Sequence, residues 1–200
     1  MGNIKELIKG LISDIRLLIY PGKAEEFFKK LKIHSPRYMI KYILVSGIFL
    51  FLGYFLDYAF GMSVFFGYLA GFTHPFYTSI RKALTWYLVA VSIPIVMGLS
   101  LNLFGEKLVK RKVGLDESIA IVAYSTVLGL VSGIFKSLLE TWIIHILLIA
   151  YCLYLLYTAI RIRFGFEKAV SCFIFLVVVA CIAVMIVFKF VAFILGLLIL

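Results

Sequence analysis

Four ionisable residues stand inside or beside long apolar runs of this sequence: Asp57, Lys136, Glu140 and His145. Burying a charge in an apolar medium is costly unless a partner or water is present, so these four are the candidates for a proton or ion pathway. The spacing of Lys136 and Glu140 also allows a plain interfacial salt bridge between residues one helical turn apart. Other chemistries lack their parts. There is no HExxH, no GxSxG, no phosphate-cradling glycine loop and no pair of carboxylates within an apolar run, so no catalytic residue is assigned.

His34, His74 and His145 are scattered, and the topology derived below puts His34 on the other side of the bilayer from the rest, which argues against a shared metal. Cys152, Cys172 and Cys181 lie in apolar runs without a CxxC pair and read as small buried apolar residues. Neither a metal nor another cofactor is implied. Tyr151, Tyr154 and Tyr157, with Tyr124, read as aromatic packing. A second set is architectural: Ser125, Gly129, Gly133 and Ser137 recur every four residues, a helix-packing seam along which a second backbone can approach closely, within the monomer or between subunits. Pro94 and Gly98 predict a kink, because proline removes a backbone donor and crowds the preceding turn.

The elements that carry these residues follow from composition. Of 200 residues 64% are hydrophobic, and the mean hydropathy is +1.11, more apolar side chain than a soluble domain of this size can hide. Lipid is the expected solvent. A helix rises about 1.5 Å per residue and the hydrocarbon core is roughly 30 Å thick, so about 20 apolar residues make one crossing. Five segments qualify, at about 38–60, 83–103, 117–136, 141–160 and 169–190. The expected fold is an all-α, polytopic membrane protein, a five-helix bundle (37–200) preceded by a collar of cytoplasmic amphipathic helices (1–36).

Charge decides the ambiguous stretch 61–80, which is apolar enough to suggest a further span. With five spans and the N-terminus inside, nine Lys or Arg through Lys41, four between Lys107 and Lys112, and Arg161, Arg163 and Lys168 are cytoplasmic. Only Arg81, Lys82, Lys136 and Lys189 are external, the asymmetry that sets orientation in membranes. Residues 61–80 then form an external loop, lying at the interface or re-entrant. The same partition explains the +10 net charge without nucleic acid; the expected partners are the bilayer, anionic headgroups at the cytoplasmic face, and a protein partner or second copy. In the collar, Ile4, Leu7, Ile8, Leu11, Ile12, Ile15, Leu18 and Ile19 fall on one helical face, with Lys5, Glu6, Lys9, Ser13, Asp14 and Arg16 on the other. Pro21 and Gly22 break that helix before a second short one. The last run, from Ala169, is longer than one crossing needs; it is either one long tilted helix or a helix broken near Lys189, with 190–200 folded back.

Three stretches resemble the Yip domain family of five-span membrane proteins, named for interaction with Ypt/Rab GTPases. IYPGKAEEFFKKL (19–31) is similar to its approach to the first span, ESIAIVAYSTVLGLVSGIF (117–135) to its third span with an Ala-Tyr-Ser element at Ala123, Tyr124 and Ser125, and LLIAYCLYLLYTAIRIRFGFEKAV (147–170) to its fourth-span exit and basic loop. Thr126, Val127 and Leu128 stand where the family commonly carries a proline after Tyr-Ser, which removes the residue that would kink that span. The resemblance implies a non-enzymatic membrane scaffold or adaptor, with trafficking roles in eukaryotic relatives. Without their long N-terminal region, this chain suits a prokaryotic plasma membrane, N-terminus cytoplasmic and C-terminus external. The competing class is a small channel or transporter with its route near Asp57, Lys136, Glu140 and His145.

Overall fold

A computed structural model describes residues 4–60, 76–137 and 142–197. Among them the chain forms α1 (Ile4–Leu18), α2 (Pro21–Lys29), α3 (Pro36–Phe60), α4 (Phe76–Val109), α5 (Leu115–Val131), a short 3₁₀ helix (Ser132–Ser137), α6 (Trp142–Phe164) and α7 (Phe166–Leu197), and no strand. The protein is an all-α membrane protein. Five of these described stretches are long and apolar enough to cross a bilayer: Pro36–Ala59, Thr78–Val109, Leu115–Phe135, Ile143–Phe164 and Phe166–Val191.

Several boundaries move relative to the sequence expectation. Most of the expected external loop, 61–75, lies outside the described residues, but its last five positions are helical because α4 begins at Phe76. Pro75 directly precedes that start, where a proline suits a helix opening, and no Gly or Pro interrupts 76–80. At its other end α4 runs on to Val109 with Glu106 and Lys107 exposed, and Lys110 closes it in a left-handed conformation (φ 54°). Helix α7 passes Lys189 without a break and continues to Leu197. Its 32 residues span about 48 Å, more than the hydrocarbon thickness, which a tilted helix accommodates.

Helix α5 is the centre of the bundle. It packs on α3, α4 and α6, and 72% of its apolar stretch is buried against 17% for α7. The reason lies in side-chain size: Ser118, Ala120, Ala123 and Ser125 let neighbouring backbones come near on several sides. Helix α7 instead lies along α4 and turns Ile174, Val178, Ile182 and Ile186 outward, apolar residues suited to lipid. The 3₁₀ helix and α3 come this close because of glycine, since a Cβ on Gly53 would strike the Gly133 backbone and one on Gly133 would strike Leu50.

The collar is seated by two stripes on one helix. Leu7, Leu11 and Leu18 of α1 are buried on the bundle, whereas Ile4, Ile8 and Ile12 are exposed on an adjoining face, as expected of a helix held at a lipid interface. Pro21 does not merely end α1; it opens α2 from an extended Tyr20. Ala24 and Phe28 bury α2. Ser35 then starts α3, its carbonyl accepting from the Tyr38 and Met39 amides.

Candidate functional site

The collar folds over the bundle as a hairpin, and the space beneath it is a cleft of about 590 Å³. Helix α1 contributes Gly10, Ser13, Asp14 and Leu17, and α2 with the residue that caps it contributes Lys23, Glu26, Phe27 and Lys30. Both sets follow the three-and-four spacing of a single helical face. Lys32 and His34 from the linker, Tyr38 of α3 and Tyr124 of α5 complete the walls. A Cβ on Gly10 would sit 3.4 Å from the Tyr38 hydroxyl, so a larger residue there would project into this space. Tyr124 lies nine residues into its helix, about 14 Å from the helix start, so the floor reaches below the level of the collar loops.

The aromatic groups form a connected cluster. Phe27 meets Tyr124 edge-on at 5.0 Å between centroids, Tyr124 meets Tyr42 at 5.3 Å, and His34 lies 4.5 Å from Tyr38. Asp14 is half-buried among them and makes no salt bridge among the described residues. Removal from water pushes its carboxyl up from 3.8 to about 6, opposed by the Tyr42 hydroxyl facing it and by the charge of Lys32. The Tyr42 ring is fully buried, and its hydroxyl lacks a hydrogen bond of complete geometry; Asp14 is the carboxylate it faces. At the rim, Lys30 is bound to Glu26 at 2.6 Å and Lys23 lies over the Tyr20 ring. Lys32 makes no salt bridge among the described residues.

A set of ion pairs fixes the same end of the bundle. The Glu117 carboxylate accepts from Arg111 at 2.7 Å and from Arg163 at 2.6 and 3.0 Å, tying the α4–α5 loop to the end of α6. Arg161 reaches Glu25 of α2 at 2.9 Å, and the Lys168 ammonium donates to the Val109 carbonyl. Tyr151 donates to the Leu18 carbonyl at the α1 terminus. The three basic segments therefore share one end of the bundle.

Between α3, α4, α5, α6 and α7 lies a second cavity of about 420 Å³, reached by Tyr54, Trp86, Pro94, Thr126, His145 and Val184. Its character is apolar, since the nearby hydroxyls turn back on their own helices: Ser125 donates to Ile121 and Thr126 to Val122. His145 is pinned through Nδ1, 2.7 Å from the Ser132 hydroxyl.

The residues singled out by sequence are thus distributed. Gly129 faces α6, its amide 3.0 Å from Cys152 Sγ, while Gly133 faces α3, so the four-residue stripe serves two neighbours rather than one. Ser125 is buried between helices; the Ser137 and Lys136 side chains and all of Glu140 lie outside the described residues. Asp57 is half-buried beside Tyr54 and Tyr58, in the cluster where Trp86 donates to the Tyr58 hydroxyl at 3.0 Å. Helix α4 continues through Pro94, and Gly98 lets it approach Ile119 of α5. Among the described residues no group of His, Cys, Asp and Glu could hold a metal. Sequence reading passed over Asp14, Tyr42 and Glu117 as site residues. The spacing Gly10, Ser13, Asp14, Leu17 was the available signal: a polar strip with an acid beside a continuous apolar face.

Compared with protein families, residues 15–199 match the family model described as the Yip1 domain. No curated protein and no solved structure matches the chain.

Proposed function

The chain belongs to the Yip1 domain family, and from that premise we propose that it is a non-enzymatic integral membrane scaffold or adaptor that organises membrane proteins or lipids through its collar. The supporting observation is the contrast between the collar end and the middle: charged, concave surface is gathered at the collar, while the described cavity within the bundle is mostly apolar and its Thr126 hydroxyl bonds back to its own helix. The collar faces the cytoplasm in this proposal and the C-terminus lies outside, because the segments that the structure gathers at the collar end carry most of the Lys and Arg.

Reconstitution tests this reading. Proteoliposomes should show no ion flux above protein-free vesicles, and fluorescent phosphatidylglycerol should be enriched around the protein, with enrichment lost when Lys29, Lys30 and Lys32 are changed to Glu. Robust flux abolished by Asp57→Ala or His145→Ala would replace the scaffold with a channel or transporter. Tags at the two termini should be accessible from opposite faces of sealed vesicles; accessibility from one face contradicts the topology.

A further inference from the structure

The collar cleft combines three features that together select a ligand. Its interior holds a half-buried carboxylate with no salt bridge among the described residues, backed by the buried Tyr42 hydroxyl that lacks a partner of complete geometry. Aromatic rings of Phe27, Tyr38 and Tyr124 line the walls. Lysines occupy the rim, and of these Lys32 makes no salt bridge among the described residues. A purely anionic ligand would meet the Asp14 carboxylate inside, and a purely cationic one would be repelled at the rim. A zwitterion with its cation inward satisfies both, since ammonium groups are attracted to aromatic faces and to a carboxylate. The position adds the source: the cleft sits under an α1 helix whose Ile4, Ile8 and Ile12 are exposed for lipid contact, and Leu17 at its edge offers an apolar way out for acyl chains.

We propose that the collar cleft binds the phosphoethanolamine head of a membrane lipid, its primary ammonium against Asp14 among the Phe27, Tyr38 and Tyr124 rings and its phosphate toward Lys32 and Lys23. This rests on the scaffold reading and gives it a specific lipid. The cleft's volume is in the range of small-molecule sites. A carboxylate accepts hydrogen bonds from a primary ammonium and none from a quaternary one, so ethanolamine is favoured over choline. The anionic surface lipids that the rest of the collar attracts are held by long-range charge and need no cleft.

The full-length protein, purified in detergent, is titrated with dihexanoyl phosphatidylethanolamine, the matching phosphatidylcholine and phosphatidylglycerol, and free phosphoethanolamine, with binding read by native mass spectrometry. The ethanolamine lipid is expected to bind about ten-fold or more tightly than the other two lipids, and Asp14→Asn to remove that preference. Lys32→Ala should weaken binding about three-fold, while Lys107→Ala, exposed on α4 and outside the cleft, leaves it unchanged. Gly10→Leu, which fills the cleft without touching a charge, should also block binding and guards against a folding defect in the Asp14 variant. Equal affinity for phosphatidylglycerol, or an Asp14→Asn variant that keeps the preference, overturns the proposal. Free phosphoethanolamine binding as tightly as the lipid overturns the assignment to a membrane lipid. Because flux is measured separately, failure of this site and failure of the scaffold reading give different results.

Discussion

Two cavities among the described residues are of similar size and opposite construction. The collar cleft, about 590 Å³, carries two acids, three lysines and a histidine, whereas the bundle cavity, about 420 Å³, is lined mostly by apolar side chains, with Thr126 and His145 held by hydrogen bonds. Depth accounts for the difference. Within hydrocarbon an unpaired polar group is costly, and here Ser125 and Thr126 bond their own helix and His145 lies within hydrogen-bond reach of Ser132. At the interface water and headgroups share that task, and an acid without a salt bridge becomes tolerable. Recognition of a charged ligand is therefore expected at the collar, and architecture in the bundle.

The strongest way to break that division is to crowd the bundle. A Cβ on Gly133 would fall on the Leu50 backbone and within 2.8 Å of its Cβ, so Gly133→Val is expected to destabilise by about 3 kcal/mol, read by denaturation in mixed detergent micelles. A smaller effect, about 2 kcal/mol, is expected for Glu117→Gln, which leaves Arg163 and Arg111 without their shared carboxylate. Its signature differs. Because Glu117 ties the α4–α5 loop at Arg111 to the adjoining ends of α5 and α6, limited proteolysis near Arg111 should accelerate more than global unfolding.

The bundle was far more legible than the cleft. Five spans follow from apolar run length and charge, signals that accumulate over many residues, and the three sequence stretches similar to the Yip domain family lie within the matched region 15–199. The extension of α4 to Val109 was hidden because Glu106 and Lys107 look like a loop, although both are exposed on a helix that is leaving the membrane. Gly133 was visible as a small residue, but its partner Gly53 was not, since a helix–helix meeting depends on rotation about two axes. Asp14 was harder still. It lies on a polar face that reads as solvated, and the groups that act on it, Lys32, Tyr42 and Tyr124, are far from it in sequence.

At the collar the next change has the opposite sign. The Asp14 carboxyl titrates near 6 in the folded protein against 3.8 when exposed, chiefly through desolvation. The folded state thus holds this proton to higher pH. Its contribution to stability is full below about pH 4 and is lost as the pH rises through about 6. Asp14→Asn should remove that slope and, at pH 7.5 without lipid, stabilise the protein by about 1–2 kcal/mol after solvent screening. Melting curves between pH 4 and 8 decide it: a wild-type curve no steeper than the variant's would mean that Asp14 is fully hydrated. Lys23, Lys30, Lys32, Glu26, His34, Tyr38, Tyr42 and Tyr124 face or rim the same space, so the difference between the two proteins, rather than either curve alone, carries the result.

The smallest effect tests whether the two cavities are independent. The Ser132 hydroxyl lies 2.8 Å from the Gly129 carbonyl and 2.7 Å from Nδ1 of His145, within hydrogen-bond reach of both. Ser132→Ala deletes both bonds beside the bundle cavity. The expected loss is only about 1 kcal/mol, because a chain unfolded within a membrane also finds partners for such groups. Since Ser132 and His145 belong to the bundle and neither lines the cleft, binding of the ethanolamine lipid should be unchanged within about two-fold. A larger change would mean that α5, which carries Tyr124 at the cleft and Gly129 at the bundle cavity, transmits strain between them. The division between a recognising collar and an architectural bundle would then give way to one coupled unit.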